Sequence, residues 1–468
     1  MNINEIIVPP FPSEKIHESV VRLASVETYQ KRIATALDLA AARYGVSHLV
    51  IYADREHFSN VHYFTGFDPR FEEAILILAK GQEPILMVGN EGLAYTTGLI
   101  HHPIQIVLYQ SLSLSGQPRT NANKTSLNET FARAGISKAS VVGTIGTKYY
   151  IADEVDNPTH FLDVPHFLVK ALEAKNCKDI LNVADLMTHP AHGIRTTLDI
   201  DEMAVLELAA TKTSRAVYNL LTHVKPGMSE IEASAFFELD GDPMVAHPNV
   251  NFTLESVRQG VASPSNYKLK NGDPFNVGLG YRAAMVARTA LYAQSPADIP
   301  AQWADIMEKI YKPYFRVVVL WYENLKIGTA GKSIIETIKR GVPEYDRLGV
   351  GLNPGHLIHT DEWTSSIFTE SEAYPVRNGM SIQCDIIAVP KDYPGVHIED
   401  GVIVADAETR QRFAAKYPEN WKRIQARRKW MKEYLNIRIN DEVLPLSDLQ
   451  GCLSPWTANP HSVLAVAK

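Results

Sequence analysis

Ionisable side chains concentrate in two short segments of the C-terminal half of the chain. The first segment places two histidines and two acidic residues within seven positions, namely His356, His359, Asp361 and Glu362. In the second segment, His397 lies two residues before Glu399. A histidine beside carboxylates can act as a general base near neutral pH, because small changes in its surroundings move its pKa through that range. The two segments therefore predict proton-transfer chemistry.

Two carboxylates fall inside predicted core strands. Asp385 lies in the apolar stretch 380–388, and Glu399 lies in the stretch 396–405. Burying an unpaired carboxylate is costly, so such groups are rarely found in a strand without a partner or a site. The pair therefore indicates a functional site that is built on core strands.

The second half of the chain predicts antiparallel strands around helices. Asp199 with Glu202, and Ser229 with Glu232, have the spacing of capping boxes, and each predicts the start of a helix. Strands are predicted at 275–279, 282–292, 380–388 and 396–405. The first 185 residues instead alternate strand-like and helix-like segments, as in an α/β domain. We expect the boundary between the two domains within 189–197.

The composition limits the possible partners and compartments. The net charge of −7 over 468 residues argues against nucleic acid as the main partner. Three scattered cysteines are too few for a disulfide framework or a cysteine-rich zinc site. The N-terminal segment lacks the pattern of a signal peptide, and no apolar run is long enough to cross a bilayer. We therefore expect a cytoplasmic protein without membrane partners. The basic, tryptophan-containing helix predicted at 410–435 is interpreted as a solvated face.

Four motifs of the second half occur in an order that resembles one superfamily. They are 223–230 (HVKPGMSE), 271–273 (NGD) with Ala287-Arg288-Thr289, 354–356 (PGH), and 378–381 (NGMS) with 396–402 (VHIEDGV). This pattern is similar to creatinase, prolidase, aminopeptidase P and methionine aminopeptidase. The segment 62–67 (HYFTGF) resembles the N-terminal domain of creatinase and prolidase relatives.

This resemblance implies an α+β fold. Residues 1–188 would form a smaller, α/β creatinase-like domain. Residues 189–468 would form a C-terminal pita-bread catalytic domain, with an extension from about residue 406.

The resemblance also implies where metal ligands would lie, and here the sequence departs from the family. Metal-dependent members hold two ions with two aspartates, one histidine and two glutamates. The aspartate positions are occupied by Gly278 and Met285, which cannot supply a hard ligand, while the other three positions hold His356, Asp385 and Glu399. We therefore expect no cofactor. A single divalent ion on those three residues is the alternative.

Creatinase also lacks the two aspartates and works without metal, yet the likeness to creatinase is incomplete. Its catalytic histidine and its acidic residue correspond to Val261 and Ala287, so creatine is not expected as the substrate. In this scheme His356 handles the proton, and Asp385 and Glu399 orient water and stabilise positive charge on the substrate.

Further residues are candidates for substrate binding. By resemblance to creatinase, Arg70 and Phe71 would reach the active site of a partner subunit, which implies a homodimer and a small anionic substrate. An intradomain ion pair of Arg70 with Glu72 or Glu73 is the alternative. The complete set of candidate substrate-binding residues is Arg70, Phe71, His247, His359, Asp361 and His397.

Three functions compete at this stage. The leading one is a creatinase-like hydrolase that cleaves a C–N bond of a small amide, amidine or guanidino compound without metal. The second is an Xaa-Pro type metallopeptidase with a reduced metal site, although the second histidine that such peptidases usually carry is replaced by Trp363. The third is a non-catalytic descendant that binds peptides or proteins. Fold alone does not decide among them.

Overall fold

The computed structural model describes residues 1–119 and 125–468. Its strands are β1 (Ile3–Ile7), β2 (His48–Ala53), β3 (Ala74–Ala79), β4 (Ile85–Val88), β5 (Gln105–Leu108), β6 (Val141–Ile145), β7 (Asp179–Asn182), β8 (Met244–Asn251), β9 (Pro274–Tyr281), β10 (Val286–Leu291), β11 (His356–Leu357), β12 (Ser381–Asp385), β13 (His397–Val404), β14 (Val443–Pro445) and β15 (Ser462–Val466). Its α-helices are α1 (Val26–Tyr44), α2 (Ser59–Thr65), α3 (Asn90–Leu99), α4 (Leu127–Arg133), α5 (His166–Glu173), α6 (Asp185–Thr188), α7 (Ile200–His223), α8 (Glu230–Ser234), α9 (Leu254–Gln259), α10 (Lys312–Asn324), α11 (Gly331–Gly341), α12 (Ala407–Lys416) and α13 (Pro418–Trp430).

The chain forms two compact units. The N-terminal unit contains residues 23–195, and the C-terminal unit contains residues 1–22 together with 196–468. The sequence-based boundary at 188/189 assigned the first 22 residues to the N-terminal domain, and the structure differs there. The reason is β1, which pairs antiparallel with β15 near the C-terminus of the chain.

The N-terminal unit is built on a six-stranded mixed sheet. The strand order is β5-β4-β3-β2-β6-β7. The β2–β3 and β3–β4 pairs are antiparallel, and a turn at Gly81 joins β3 to β4. The β2–β6, β6–β7 and β4–β5 pairs are parallel. Its core strands are almost wholly apolar, as expected for strands that are covered on both faces.

The C-terminal unit is built on an antiparallel sheet. Its strand order is β11-β12-β13-β10-β9-β8, with β14 paired to one end of β13. A single apolar core joins this sheet to α7, α10 and α11, through residues such as Val217, Val277, Val318, Ile338 and Ile398. Both predicted capping boxes are confirmed, because Asp199 with Glu202 begins α7 and Ser229 with Glu232 begins α8.

The basic segment predicted as one helix over 410–435 differs from the structure in two ways. It is divided into α12 and α13, because Pro418 occupies the first turn of a new helix. Two of its arginines, Arg427 and Arg428, are also buried rather than solvated. Arg427 is buried and binds Glu207 of α7 and Asp448 of the C-terminal extension. The extension from about residue 406 therefore packs as part of the C-terminal unit.

No helix in the described parts of the chain, 1–119 and 125–468, combines the length and apolarity that crossing a bilayer demands.

Candidate active site

The sheet of the C-terminal unit aligns five residues in one row across its strands. Asp385 of β12 lies opposite Glu399 of β13, which lies opposite Ala287 of β10. Ala287 in turn lies opposite Gly278 of β9, and Gly278 lies opposite Asn249 of β8. Residues directly opposite each other in antiparallel strands project from the same face of a sheet. On one face of the sheet, the row therefore places two carboxylates, then a floor of two small residues, and then the amide of Asn249.

The strand sequences explain why these groups share a face. All residues of β13 are buried, and His397, Glu399 and Gly401 alternate along it with Ile398, Asp400 and Val402. Because side chains alternate along a strand, the apolar members of β13 face the helical core and the acidic site residue faces the other way.

His356 lies at the centre of the acidic cluster. It stands on β11 opposite Gln383 of β12, and it has no solvent exposure. Its Nε2 atom lies 3.2 Å from Oε1 of Glu362, 3.6 Å from Oδ2 of Asp385 and 3.7 Å from Oε1 of Glu399. None of these approaches has hydrogen-bond geometry, so among the described residues Nε2 has no hydrogen-bond partner. This atom is therefore positioned to exchange a proton with a bound molecule.

Trp363 and Glu362 form the solvent side of the cluster. The indole ring of Trp363 stacks on the imidazole of His356, with ring centroids 4.2 Å apart and an interplanar angle of 12°. The side chain of Glu362 is 34% exposed, whereas that of Asp385 is 6% exposed. A molecule from solvent would therefore enter past Glu362 and Trp363.

Each strand carboxylate also has a neutral or cationic partner. His397 and Asp385 form a short contact of 2.7 Å between Nε2 and Oδ1. Nε2 of Gln383 donates to Oε1 of Glu399 at 3.2 Å and to the carbonyl of Met285 at 3.0 Å. These bonds fix the rotamers of the two carboxylates, so the spacing of the cluster is set by the sheet rather than by loops.

The surroundings move the pKa values of the cluster apart. Burial lowers the pKa of His356, but its interactions with Glu362 and Glu399 outweigh burial and raise this pKa to about 10. Burial and the charge of Asp385 raise the pKa of Glu399 to about 7. Burial raises the pKa of Asp385, but His397 more than offsets it, so this pKa lies below its usual value. The site therefore pairs a protonated imidazole with a carboxyl group that titrates near neutrality.

The predicted substrate-binding residues of this unit divide into two groups. His397 joins the cluster through Asp385. The side chain of His359 instead contacts Glu202 at the start of α7, with 3.1 Å between Nε2 and Oε1. The backbone carbonyl of Asp361 accepts a hydrogen bond from the backbone amide of His359, so these two residues lie in one turn. His247 is exposed, and its Nε2 lies 3.1 Å from the carbonyl of Val261. The contacts of His359 and His247 are those of structural residues.

Arg70 and Phe71 belong to the N-terminal unit. Arg70 has a left-handed backbone with φ of 60°, and its guanidinium donates to the hydroxyl of Tyr95 at 3.2 Å. Glu72, which was its alternative partner, instead accepts bonds from backbone amides at the start of α3. Phe71 is 49% exposed. An exposed aromatic ring beside a guanidinium suits contact with a further molecule.

The cluster offers two donor sets for a divalent ion, and the two sets share Glu399. Two groups of three residues have ligand atoms within 4.8 Å of one another, namely His356, Glu362 and Glu399, and Asp385, His397 and Glu399. Ligand bonds of 2.0–2.2 Å place donor atoms roughly 3–4 Å apart, so small adjustments would suffice. The two positions that hold aspartates in metal-dependent members, Gly278 on β9 and Met285 just before β10, supply no donor. A Cβ atom on Gly278 would lie 3.2 Å from Cε of Met285, so the thioether fills that space.

Sequence reasoning left Gln383 and Asn249 out of the site, and it noted Glu362 near His356 without including it among the candidate site residues. The signal for Gln383 was present, because residues 383 and 385 share one face of a strand. Glu362 belongs to a turn whose path no periodicity predicts. The register of β8 shifts between Ala246 and Asn249, so simple alternation along the strand could not predict which face of the sheet Asn249 occupies.

Comparisons with known proteins agree with this architecture. Residues 204–406 match the sequence model of metallopeptidase family M24. The prolidase from Pyrococcus horikoshii OT3 has a TM-score of 0.61 at 16% identity, covering 80% of this chain and 95% of its own. The Xaa-Pro dipeptidase from Bacillus anthracis has a TM-score of 0.61 at 15% identity, and the match covers 82% of this chain and 96% of the dipeptidase. The X-Pro aminopeptidase from Thermotoga maritima MSB8 has a TM-score of 0.60 at 13% identity, and the match covers 80% of this chain and 95% of the aminopeptidase. No curated protein sequence matches the chain.

The C-terminal unit therefore carries an M24 domain with the pita-bread fold, preceded by an α/β unit. The M24 match over residues 204–406 agrees with the resemblance that the motifs predicted, and the solved structures share the fold. The M24 match supports a hydrolase that acts on C–N bonds.

Proposed function

We propose that the C-terminal unit hydrolyses a C–N bond in a small amide, amidine or guanidino compound, with its own side chains transferring the protons. The observation that carries this proposal is the buried cluster in which Nε2 of His356 lies within 3.7 Å of three carboxylates. Paired carboxylates already balance the charge of a protonated imidazole there.

Glu399 and His356 divide the acid and base roles in this mechanism. Ionised Glu399 takes a proton from the attacking water, and the water oxygen bonds to the substrate carbon. Protonated His356 donates its Nε2 proton to the leaving nitrogen, and the C–N bond breaks. The proton on Glu399 then passes back across the 3.7 Å contact to His356. This reverses the sequence-based expectation that His356 acts as the base, because the neighbouring carboxylates keep this imidazole protonated.

Asp385 positions the second imidazole of the site. Its Oδ1 atom holds Nε2 of His397, and its Oδ2 atom faces His356. Positive charge that develops on a protonated amidine or guanidine would be stabilised by this carboxylate.

The second candidate is an Xaa-Pro type metallopeptidase that uses one divalent ion. It is favoured by the two three-residue donor sets and by the similar structures, which are a prolidase, an Xaa-Pro dipeptidase and an X-Pro aminopeptidase. Asp385, His397 and Glu399 would hold the ion, since His397 replaces a donor that β9 and β10 lack. Such an ion would polarise the scissile carbonyl and lower the pKa of a bound water.

The metal content of the purified protein distinguishes the two candidates. After dialysis without chelator, we expect less than ~0.1 divalent ion per chain by elemental mass spectrometry, because a protonated His356 leaves only one complete donor set. The His397→Gln variant is the matched control for adventitious ions. One tightly held ion per wild-type chain that is lost in His397→Gln would contradict the first candidate and favour the peptidase.

We further propose that the enzyme is a homodimer in which Arg70 of one subunit binds substrate at the cluster of the other. The arginine is held in a strained left-handed turn beside an exposed Phe71, which is consistent with a contact made outside its own unit. We expect mixtures of Arg70→Ala and His356→Ala subunits to recover up to about a quarter of wild-type activity, because a mixed dimer retains one intact site. If each variant is inactive alone and mixing restores nothing, Arg70 does not act in trans.

The cytoplasm is the compartment that we propose. Cys177, Cys384 and Cys452 are all free thiols, and burial raises the pKa of Cys384 and Cys452 well above the usual value. Free thiols are characteristic of a reducing compartment.

A further inference from the structure

Glu362 is the most exposed of the three carboxylates that surround His356. Its side chain is 34% exposed, against 6% for Asp385 and 5% for Glu399. The exposed fractions of the two strand carboxylates are small but not zero, so each of them borders space that a water-sized molecule can occupy. A molecule that comes from solvent therefore meets Glu362 first and the two strand carboxylates after it.

The turn that carries Glu362 is held at its base and in its middle. At the base, the amide of Leu357 donates to the carbonyl of Ser365 at 2.6 Å. In the middle, Nε2 of His359 lies 3.1 Å from Oε1 of Glu202 at the start of α7. The position of the Glu362 carboxylate is therefore set by the fold, as is required of a group that recognises one kind of ligand.

The cluster carries more negative charge than its own imidazoles can balance. With Glu399 ionised, as the proposed mechanism requires, Glu362, Asp385 and Glu399 carry three negative charges. The two imidazoles, His356 and His397, carry at most two positive charges between them. Excess charge of one sign in a poorly solvated site favours a ligand of the opposite sign. The charge of the cluster therefore favours a cation.

The imidazole of His356 shows that a ligand completes the cluster. The ring is fully buried, yet Nε2 has no hydrogen-bond partner among the described residues. A buried polar atom without a partner is unfavourable, so its retention calls for an explanation. Nε2 faces Oε1 of Glu362 at 3.2 Å and Oε1 of Glu399 at 3.7 Å. A ligand that bonds to Nε2 therefore lies beside both carboxylates.

The spacing of Glu362 and Glu399 restricts the kind of cation. One ligand atom of each lies within 4.8 Å of the other. An N–H···O bond joins atoms about 2.9 Å apart, so two nitrogens on one carbon can donate to both oxygens. An amidinium or a guanidinium offers such a pair in one plane, which suits carboxylates. A neutral amide would instead turn its carbonyl oxygen towards one of the carboxylates, where no donor meets it.

We infer that Glu362 is a specificity-determining residue, whose carboxylate accepts an N–H group of an amidinium or guanidinium while Glu399 accepts a second N–H group of the same cation. This inference rests on the proposed function and narrows its substrates to these two cations, so that neutral amides are excluded. Glu362 contacts the substrate and takes no part in proton transfer.

The test compares cationic probes with neutral probes of the same shape. The pairs are N-methylguanidinium with N-methylurea and propanamidinium with propanamide, each titrated by calorimetry into the protein as purified. We expect wild type to bind each cation at least about 10-fold more tightly than its neutral counterpart. Glu362→Gln keeps the side-chain volume and removes the charge. It should bind the cations about 10-fold more weakly and the neutral probes within about 2-fold of wild type.

Two further variants separate local recognition from net charge. Glu433→Gln removes one negative charge from the same unit, at a side chain that is 56% exposed and pairs with Lys429, and it should keep the wild-type preference for cations. Glu362→Asp, which retains the charge, should keep most of that preference. A structural role of Glu362 would instead weaken all four probes alike in Glu362→Gln.

Three results would overturn the inference. They are equal affinity of wild type for a cation and its neutral counterpart, unchanged cation affinity in Glu362→Gln, and equal weakening of cationic and neutral probes in that variant. Failure of wild type to bind either cation would do the same.

Turnover is measured separately, as release of ammonia or amine from the same four probes. Cation binding that depends on Glu362 without any hydrolysis would refute the proposed function and leave the recognition of the cation standing. Hydrolysis of propanamide that is unaffected by Glu362→Gln would support the proposed function and overturn the inference.

Discussion

Replacing His356 with glutamine or alanine should lower kcat by about 10²- to 10⁴-fold, which is the contribution that general acid catalysis usually makes. The reason is geometric. Nε2 of His356 is the one imidazole nitrogen of the site that faces Glu362, Asp385 and Glu399 together, at 3.2–3.7 Å. Without it the cluster loses the group to which the mechanism assigns proton donation to the leaving nitrogen. Steady-state rates on the best substrate of an amide, amidine and guanidine screen would measure the effect.

The matched control is His247→Gln, which changes an exposed histidine of the same unit that makes one contact with a backbone carbonyl. We expect wild-type kcat in that variant. Glutamine is preferred to alanine at position 356 because alanine would leave a cavity beneath Trp363. Wild-type turnover in His356→Gln, with unchanged folding by circular dichroism, would remove this residue from the mechanism.

The pH profile adds a readout that a merely structural histidine would not move. Activity should rise with pH through about 7, as Glu399 loses its proton and becomes the base, and fall through about 10, as His356 loses the proton that it must donate. His356→Gln should retain the acidic limb of the residual activity and lose the alkaline limb. A profile with both limbs intact in that variant would assign the alkaline group elsewhere.

The sequence predicted the fold, and it singled out two carboxylates that the structure brings together, for reasons that can be stated. Capping boxes at Asp199 and Ser229 are local signals, and the structure confirms both helix starts. Motif order led to the superfamily, which the M24 match supports. Asp385 and Glu399 were predicted to belong to one site because burying an unpaired carboxylate in an apolar strand is costly. The structure places these two residues opposite each other on neighbouring strands.

What the sequence could not predict depends on contacts between distant segments. Glu362 reaches His356 through an irregular turn, and the hydrophobic periodicity that predicts helices and strands cannot predict the path of such a turn. Arg427 was expected to be solvated because its helix is basic, yet its charge is neutralised by Glu207, 220 residues earlier in the chain. The first strand was assigned to the N-terminal domain, but its partner lies at the other terminus. Each of these outcomes was set by tertiary pairing, which overrides local composition.

One such long-range pairing should dominate the stability of the site. Arg288 of β10 is buried, and one of its guanidinium nitrogens donates to both carboxylate oxygens of Asp400 at 2.9 and 2.8 Å. The same arginine donates to the carbonyls of Glu399 and Leu449, and Asp400 accepts a bond from the amide of Gly451. This pair thus clamps β10, β13 and the C-terminal extension on the face of the sheet opposite the active site.

We expect Asp400→Leu to lower the free energy of unfolding by about 3–5 kcal/mol, because it leaves the Arg288 charge buried without compensation. The double variant Arg288→Met/Asp400→Leu should recover most of that loss, since an apolar pair of similar volume needs no desolvation of charge. The midpoints of urea unfolding curves, compared at an unchanged m-value, measure both the loss in Asp400→Leu and the recovery in the double variant. Lys339→Ala, which removes an exposed ion pair with Glu370, is the control and should barely move the midpoint.

The double variant also separates stability from catalysis. If the buried pair serves only to hold the strands together, a stable double variant should keep wild-type kcat. Arg288 however bonds the backbone carbonyls of Ala287 and Glu399, and these two residues lie opposite each other in the site row. A methionine cannot donate either bond, so Glu399 should lose part of its fixed position relative to His356. We therefore expect recovered stability with kcat reduced about 10-fold, as misplacement of a reacting group produces. Full recovery of both properties would show that the sheet alone positions Glu399.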